Sequence, residues 1–467
     1  MMKVNQFFRL LPTLLLFASC EGDDTYVIDT QGVLHLSADS YTFDAQGTEK
    51  FRVEVAVSST WTAEPEHDWI KLTDRTDDAV TLTVEAYDGT SPRTGKVVFT
   101  AGDNRVSFTV EQLAPVYAGS LHILTDLAYP VISKGGKFVA GLRIEDAGDG
   151  ASRYAPVVIC TSTGERSDLE WVDGLTRMNA VSDDGRTLAV ECNNSGCILR
   201  DGSLLEFETN GYTYLKIEDI SSDGTVWVGS GTNPATKKGQ PLRWKNGEME
   251  ELPLPETNGL GQTIRSNVVA YGCNAAGSIV YGSIIDNFEM VYWKDGKVSF
   301  VGEDVVNIHT VTVSGRDMLL YDRPYGTRQN YRMSPSGRYL VSIFRAEIYI
   351  EGDLRPTSVH YPFVADLETG WSKVLFDYAD HAAVSVTDDG LIHCGTPSNG
   401  LKDGLVWMPG SETLVPLDAW FASEYGVRIS ANRCICGTSP DGNVIFGMEQ
   451  TASGGYRFWY YLVTQYK

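Results

Sequence analysis

Hydrophobic and polar residues alternate one by one in the early part of the chain. In one run Val53 and Val55 point to one side of an extended strand, whereas Arg52 and Glu54 point to the other. Further alternating runs occupy residues 80–86 and 106–110. This period of two, interrupted by polar turns at short intervals, predicts an antiparallel β-sandwich over residues 32–114.

A short turn phrase recurs seven times in the rest of the chain. Each copy consists of small or polar residues and ends in glycine: Ser133-Lys134-Gly135-Gly136, Ser182-Asp183-Asp184-Gly185, Ser221-Ser222-Asp223-Gly224, Ala275-Ala276-Gly277, Ser334-Pro335-Ser336-Gly337, Thr387-Asp388-Asp389-Gly390 and Ser439-Pro440-Asp441-Gly442. A short apolar strand follows most copies, as Val226-Trp227-Val228 does. A period of roughly 50 residues, with a turn and short strands in each unit, is typical of a β-propeller rather than a solenoid.

Each unit also carries a second turn with an apolar strand on either side. Trp244-Lys245-Asn246-Gly247 is one example. Two such turns divide a unit into four strands, the number in one propeller blade. Seven units therefore predict seven blades. Six or eight remain alternatives, because the stretch from Gly296 to Gly337 holds an additional strand-like run at 312–320, which predicts an inserted hairpin.

The last unit is one strand short, and the first apolar strand of the repeat region has no unit of its own. The final turn is followed by one long apolar run at 457–463, while Leu121–Leu124 precedes the first turn. Pairing of these segments would close the ring and leave no open sheet edge. The predicted fold class is all-β: a small immunoglobulin-like β-sandwich followed by a seven-bladed β-propeller over residues 118–467.

The N-terminal segment has the pattern of a secretory signal peptide. Basic residues precede an apolar run, and small residues lead to Cys20. Residues Phe17-Ala18-Ser19-Cys20 resemble a bacterial lipobox, which implies lipidation of Cys20; an ordinary cleaved signal is the alternative. We assign residues 1–19 to the signal peptide and 20–31 to an acidic tether. That acidic stretch resembles the surface-export signal of Bacteroidetes lipoproteins, so the expected location is the outer membrane, with surface exposure.

Four segments of the predicted sandwich resemble a known module. They are Ser58–Ala63, Asp68–Ile70, Arg93–Phe99 and Val110–Gln112. Together they resemble the BACON domain, which is common at the N-terminus of exported Bacteroidetes proteins. The family name implies carbohydrate binding, with Trp61 and Trp69 as aromatic platforms. The alternation around both residues favours packing in the core instead, which would make this domain mainly a spacer.

The propeller turns resemble two architectures. A Ser-Asp-Gly turn, a following Val-x-Gly strand and a later Trp-x-x-Gly are similar to the extracellular HAF repeat and, more loosely, to the blades of TolB-like propellers. Neither resemblance implies catalytic residues. Fold alone does not determine what such a ring does, because propellers include enzymes, scaffolds and binding proteins.

Composition narrows the class of partner. The chain has 61 acidic and 38 basic residues and a formal charge of −23, so nucleic acid is not an expected partner. Seven cysteines follow Cys20, and most lie in strand-like runs, where buried thiols are expected. Cys192 and Cys197 flank a predicted hairpin turn, which leaves a disulfide between them open.

Known catalytic and metal-binding patterns are absent from the sequence. It has no Gly-x-Ser-x-Gly motif, and residues 221–227 are one residue short of a sialidase aspartate box. The acidic pairs Asp183-Asp184 and Asp388-Asp389 occupy repeated turn positions, which turn geometry explains. No zinc or calcium spacing is present. We therefore expect no catalytic residue, no metal and no cofactor, although an enzyme is not excluded.

Tyrosines in predicted loops are the candidate ligand-binding residues. They are Tyr212, Tyr214, Tyr321 and Tyr325, the last two in a predicted loop at 321–325. Packing between blades is the alternative role. The sequence thus favours a surface lipoprotein that binds a glycan or another extracellular ligand without catalysis and contacts the membrane through its lipid. The alternatives are a glycan lyase or hydrolase with its site in the propeller mouth, and a scaffold that binds other envelope proteins.

Overall fold

The computed structural model describes most of the chain after residue 32. The described residues are 33–43, 45, 47, 49–87, 92–113, 118–146, 152–313, 315–350, 356–395, 404–427, 429, 433–451 and 456–464. The predicted signal peptide, Cys20 and the acidic tether lie outside these residues. Contacts divide the chain into two compact units, Met1–Pro115 and Val116–Lys467.

The first unit is a sandwich of two four-stranded sheets. Its strands are β1 (His35–Leu36), β2 (Ser40–Phe43), β3 (Phe51–Ala56), β4 (Thr62–Pro65), β5 (Ile70–Thr73), β6 (Ala79–Val84), β7 (Arg93–Ala101) and β8 (Asn104–Gln112). One sheet has the order β1-β3-β6-β5 and the other β2-β8-β7-β4. Trp61 is buried in the core and donates a hydrogen bond from Nε1 to the Asp77 carbonyl at 2.6 Å, which confirms its predicted packing role. Trp69 is partly buried against that core, with the Arg93 guanidinium 4.2 Å from its ring.

The second unit contains five separate four-stranded sheets and one ten-stranded sheet, in which an inserted strand joins two further four-stranded blades. The predicted seven blades are therefore confirmed. In order, blades 1 to 4 are β10 (Ala128–Ile132), β11 (Phe138–Asp146), β12 (Ser152–Cys160), β13 (Arg166–Asp168); β14 (Leu175–Val181), β15 (Thr187–Cys192), β16 (Ser195–Arg200), β17 (Ser203–Leu205); β18 (Thr213–Ile220), β19 (Val226–Thr232), β20 (Gly239–Lys245), β21 (Glu248–Glu251); and β22 (Val268–Cys273), β23 (Ile279–Ile284), β24 (Glu289–Lys294), β25 (Lys297–Phe300).

Blades 5 to 7 complete the ring. They are β28 (Arg332–Met333), β29 (Tyr339–Ile348), β30 (Thr357–Asp366), β31 (Trp371–Val374); β32 (Ala382–Val386), β33 (Ile392–Gly395), β34 (Leu405–Trp407), β35 (Val415–Pro416); and β36 (Arg433–Thr438), β37 (Val444–Gln450), β38 (Tyr456–Thr464) with β9 (Ala118–Leu124). A helix, α1 (Leu417–Tyr425), follows blade 6. Strand β9 pairs antiparallel with β38, from Phe458 opposite Leu124 to Thr464 opposite Ala118. The predicted closure by the N-terminal strand is therefore confirmed.

An additional hairpin lies between blades 4 and 5. A short 3-10 helix (Glu303–Val305) leads into β26 (Asn307–Val313) and β27 (Arg316–Tyr325), which pair antiparallel. The predicted insertion is confirmed. The predicted loop at 321–325 is wrong, because these residues form the end of β27, which pairs with β29 through Arg323, Pro324 and Tyr325. Pairing with β24 on one side and β29 on the other holds this run extended despite Pro324.

The repeated turns connect the first and second strands of the blades. In blade 3 the Ser221 hydroxyl donates to Asp223 Oδ1 at 2.6 Å and accepts the Val226 N–H at 3.0 Å, while Gly224 has a φ of 69°. Gly224 suits this left-handed conformation because it lacks a Cβ. We call the end of the propeller that carries these turns the turn face.

Neighbouring turns also bond to one another around the ring. The Gly135 N–H donates to Asp183 Oδ1 at 2.7 Å, and the Ser336 N–H donates to Asp388 Oδ1 at 2.7 Å. Between them, backbone bonds join residues 183 to 222, 222 to 275 and 275 to 335. The acidic residues of the turns thus link blades, which confirms a structural role for Asp183 and Asp388.

The described cysteines are all free thiols. The hairpin turn between β15 and β16 consists of Asn193 and Asn194, both with positive φ, so that Cys192 pairs with Ser195 and Cys197 lies opposite Val190. Cys192 and Cys197 are therefore both free thiols in this structure, and no disulfide joins them.

Candidate functional site at the mouth of the propeller

The end of the propeller opposite the turn face carries most of its exposed aromatic rings. We call it the connector face, because it holds the connections between blades and between the second and third strands of a blade. The exposed aromatic side chains among the described residues are Tyr129, Trp171, Tyr214, Trp371, Phe376 and Tyr456. Their places in the strand order put all except Trp371 at the connector face. Exposed rings gathered on one face indicate a surface available for stacking on a ligand.

The inner strands of five blades carry a β-bulge at the same place, three residues before the residue that begins the turn, which in blade 4 is Asn274. The bulged residues, which have no partner in the ladder, are Asn179, Glu218, Tyr271, Val384 and Cys436. A bulge redirects the side chain of its extra residue, and bulges are over-represented beside functional sites. Here they give the inner strands of blades 2, 3 and 4 three different polar groups.

Arg328 bridges two of these bulged residues. It lies just before β28 and reaches from the entry of blade 5 to the inner strands of blades 2 and 3. Its Nη2 donates to Asn179 Oδ1 at 3.0 Å, and its guanidinium forms an ion pair with Glu218. Burial raises the pKa of Glu218 even though Arg328 and Arg177 oppose that shift. The network therefore holds a nearly buried carboxylate in the mouth, the part of the central channel that opens at the connector face.

Arg177 lies beside this network and has a different environment. Its guanidinium carbon is 5.7 Å from the centre of the exposed Tyr129 ring. Burial, followed by repulsion from Arg328, lowers its pKa, although Glu218 and Glu191 partly counter this. Among the described residues Arg177 has no ion pair or side-chain hydrogen bond. Its guanidinium is therefore available to a ligand.

Tyr271 and Tyr325 extend the mouth toward blades 4 and 5. Burial, then the neighbouring Glu218 carboxylate, raises the pKa of Tyr271 to about 12, so its hydroxyl stays protonated near neutral pH. The Tyr325 ring lies 5.0 Å from that of Phe288 and 6.2 Å from that of His360. Burial lowers the pKa of His360, and Arg345 lowers it further. His360 is thus neutral at physiological pH.

The four predicted tyrosines occupy different environments. Tyr214 is 79% exposed and has a φ of 51°, whereas Tyr325 is half-buried at the mouth. Tyr212 is buried and donates its hydroxyl to Glu251 Oε1 at 2.6 Å. Tyr321 is also buried and donates to Glu289 Oε1 at 2.5 Å. Burial leaves the rings of Tyr212 and Tyr321 unavailable for stacking, so a ligand-binding role remains a prediction for Tyr214 and Tyr325.

Tyr321 instead lines a small cavity beneath the inserted hairpin. The cavity has a volume of about 170 Å³ and is lined in part by Glu289, Glu303 and Arg323. The buried charges have partners: both Glu289 oxygens accept the Gly259 N–H, at 3.0 and 2.9 Å, and Arg323 Nη2 donates to the Asn287 carbonyl at 2.7 Å. These contacts indicate that the polar groups hold the hairpin against blade 4.

A second cavity lies on the axis near the turn face. It has a volume of about 100 Å³ and is lined by residues of several blades, including Lys134, Cys273 and Cys436. Lys134 Nζ donates to Asp219 Oδ2 at 2.6 Å, and the Cys273 N–H donates to the same oxygen at 2.9 Å. Burial alone would lower the pKa of Lys134, but Asp219 raises it overall. This end of the axis is therefore closed by a satisfied ion pair.

Sequence reasoning missed Tyr129, Trp171 and Arg177. These residues lie outside the repeated turns and outside the predicted tyrosine loops, and no sequence motif marks them. One feature of the sequence does point to this region. The residues just before each turn differ in type from one blade to the next, whereas the turns themselves repeat. Within the described residues, no group of three or more His, Cys, Asp or Glu side chains is arranged to hold a metal ion. No helix in that part of the chain is long and apolar enough to cross a membrane.

Comparison with known protein families gives one match, within the first unit. Residues 59–113 match the model of the BACON family, described as "Putative binding domain, N-terminal". The predicted resemblance of this segment is thereby confirmed. A search of curated protein sequences found no match.

Similar solved structures include proteins of several kinds. A Bacteroides ovatus GH5 xyloglucanase, in complex with a XXXG heptasaccharide, is 19% identical, with a TM-score of 0.17 and 22% of each chain covered. The β-propeller domain of the Trilobed protease from Pyrococcus furiosus is 13% identical over 75% of this chain and 98% of its own, with a TM-score of 0.36. The extracellular domain of a hybrid two-component system from B. thetaiotaomicron is 11% identical over 73% of this chain, with a TM-score of 0.40. This chain spans only 39% of that last protein and about a fifth of the xyloglucanase. At such identities the likeness concerns the fold alone.

Proposed function

We propose that this chain is a non-catalytic binding protein of the cell envelope, with glycan as its ligand and the connector-face mouth of the propeller as its site. The observation that carries the proposal is the exposed ring of Tyr129 beside the unpaired guanidinium of Arg177. Trp171 and Tyr214 add exposed rings on the same face. The apolar C–H faces of a sugar pack on such rings, while its hydroxyls need polar partners, which the N–H groups of Arg177 can provide. The BACON segment, described as a binding domain, is consistent with this function.

The test is a glycan-array screen followed by calorimetry on the purified protein. The variant Tyr129→Ala/Trp171→Ala should weaken binding of any glycan found by about tenfold or more, because each lost stacking contact contributes on the order of 1 kcal/mol. Trp371→Ala is the matched control, because Trp371 is similarly exposed but lies at the turn face. Equal losses in both variants, or no glycan bound at all, would contradict the proposal.

A glycan lyase or hydrolase acting at the same mouth is the second candidate. Glu218 favours it, because burial raises its pKa in the direction that a general acid requires. Against it, Glu218 is paired with Arg328, and the nearby Glu191 carboxylate is paired with Lys216 at 2.9 Å. Hydrolysis by the common route needs two free carboxyl groups across the bond. Product formation by the wild type, lost in Glu218→Gln, would favour the enzyme.

We further propose that Cys20 is acylated and anchors the protein in the outer membrane. The support is the apolar run that ends in small residues directly before Cys20. In fractionated cells, Cys20→Ala should move the protein from the membrane fraction to the soluble fraction, whereas Cys160→Ala, at a half-buried thiol, should not. Membrane retention of Cys20→Ala through a hydrophobic anchor would contradict the lipid anchor.

A further inference from the structure

The charges around the Arg328–Glu218 pair do not balance among themselves. Arg177, Lys216 and Arg328 face two carboxylates, Glu191 and Glu218. Lys216 Nζ contacts Glu191 Oε1 at 2.9 Å, and Arg328 is paired with Glu218. Arg177 is then left without a counterion among the described residues. This excess positive charge is notable in a chain whose formal charge is −23.

Arg177 is an exposed side chain whose charge no described neighbour neutralises by direct contact. It lies opposite Glu191 in the β14–β15 ladder, but the Glu191 carboxylate contacts Lys216. Partial burial and the neighbouring Arg328 lower the pKa of Arg177, and Glu218 and Glu191 partly counter that shift. Because arginine stays protonated in proteins, its guanidinium can bind an anion at this position.

The adjacent ring indicates what carries the anion. The Tyr129 ring is 48% exposed and lies with its centre 5.7 Å from the Arg177 guanidinium carbon. One sugar unit can therefore pack its face on the ring and place a charged substituent at the guanidinium. The planar fork of arginine matches a carboxylate or a sulfate ester, with two parallel hydrogen bonds.

We propose that the mouth selects acidic saccharides, with the anionic group of one sugar bound by Arg177 and the sugar ring packed on Tyr129. This inference rests on the proposed glycan-binding function and adds the chemical class of the ligand. Carboxylate and sulfate share the required chemistry. The net negative charge of the chain disfavours extended polyanions such as nucleic acids, so a short acidic segment of a glycan fits better.

The experiment is calorimetry of the purified full chain with matched sets of oligosaccharides from pectin, alginate and chondroitin. Each set contains the uronic-acid form and its carboxyl-reduced neutral form, and the chondroitin set adds a carboxyl-reduced sulfated form. We expect at least one acidic form to bind at least tenfold more tightly than its neutral counterpart. Arg177→Gln should weaken that binding by about 10- to 100-fold, because a charge-assisted hydrogen bond contributes more than a neutral one. Arg177→Lys should recover only part of the loss.

Arg186→Gln is the matched control, because Arg186 lies in the same blade at the turn face and is paired with Asp201 at 2.6 Å. It removes the same charge and should leave the affinity unchanged. Equal binding of acidic and neutral forms, or an unchanged affinity in Arg177→Gln, would overturn the inference while glycan binding stands. Absence of binding to every saccharide, acidic or neutral, would overturn both. Preference for the sulfated over the uronic-acid form would identify sulfate as the recognised group and support the inference.

Discussion

The two ends of the propeller axis are built from the same inner strands but use their polar residues differently. At the turn face the same residues recur from blade to blade and bond within the protein, as Ser221 and Asp223 do. In the mouth, a few residues before those turns, the equivalent bulge positions of three successive blades hold Asn179, Glu218 and Tyr271. Repetition therefore accompanies turn formation, and variation accompanies the mouth, where we propose that a ligand binds.

The contrast extends to the charged residues nearest the axis. Near the turn face, Lys134 is paired with Asp219, and their side chains are only 18% and 17% exposed. At the connector face, Arg177 has no such partner in the described part of the chain. A buried pair that is broken is costly, whereas an exposed arginine without a pair can be removed cheaply. In a repeat protein, a charge that the fold leaves unpaired is thus the better indicator of a binding site.

The largest expected effect is at the closed end of the axis. Asp219→Ala should lower the free energy of unfolding by about 3 kcal/mol, because it leaves Lys134 without its counterion and the Cys273 N–H without an acceptor. Urea unfolding would measure it. The double variant Lys134→Ala/Asp219→Ala should recover part of the loss, since no unpaired charge remains. A single variant as stable as the wild type would remove the distinction between the two ends.

A second pair of variants compares the faces within one blade. Ser221→Ala should lower the free energy of unfolding by about 1–3 kcal/mol, because the buried Val226 N–H loses its acceptor. Tyr214→Ala removes a highly exposed ring at the connector-face end of β18 and should change the free energy of unfolding by less than about 0.5 kcal/mol. Thermal unfolding of both variants would measure the difference. Equal losses would mean that Tyr214 supports the fold rather than a ligand.

Much of the fold followed from local patterns in the sequence. The turn phrase has a direct physical cause, because its serine, acidic residue and glycine each satisfy one requirement of the turn seen at Ser221–Gly224. Ring closure by Leu121–Leu124 followed from counting strands. These features depend on neighbours in sequence, which a single chain displays.

The candidate site was much less predictable. Tyr129, Arg177 and Arg328 belong to blades 1, 2 and 5 and meet only after the ring has closed, so no spacing in the sequence relates them. Burial was equally hidden: Tyr321 stands in a run that resembles an exposed loop, yet its hydroxyl bonds to Glu289, 32 residues away. Which tyrosine is free and which is packed depends on contacts between distant segments.

The smallest expected effect concerns backbone strain at the connector face. Tyr129 has a φ of 50°, in the left-handed region that asparagine tolerates better than tyrosine or alanine. Tyr129→Asn should therefore be more stable than Tyr129→Ala by about 0.5–1 kcal/mol in thermal unfolding. Both variants lack the ring, so both should lose about tenfold in affinity for an acidic oligosaccharide. Equal stability of the two variants would show that position 129 is unstrained. A clear difference in their affinities would show that something other than the ring acts there. If the expected pattern holds, the native tyrosine lowers stability and is retained for binding, the trade-off that distinguishes a functional position from a structural one.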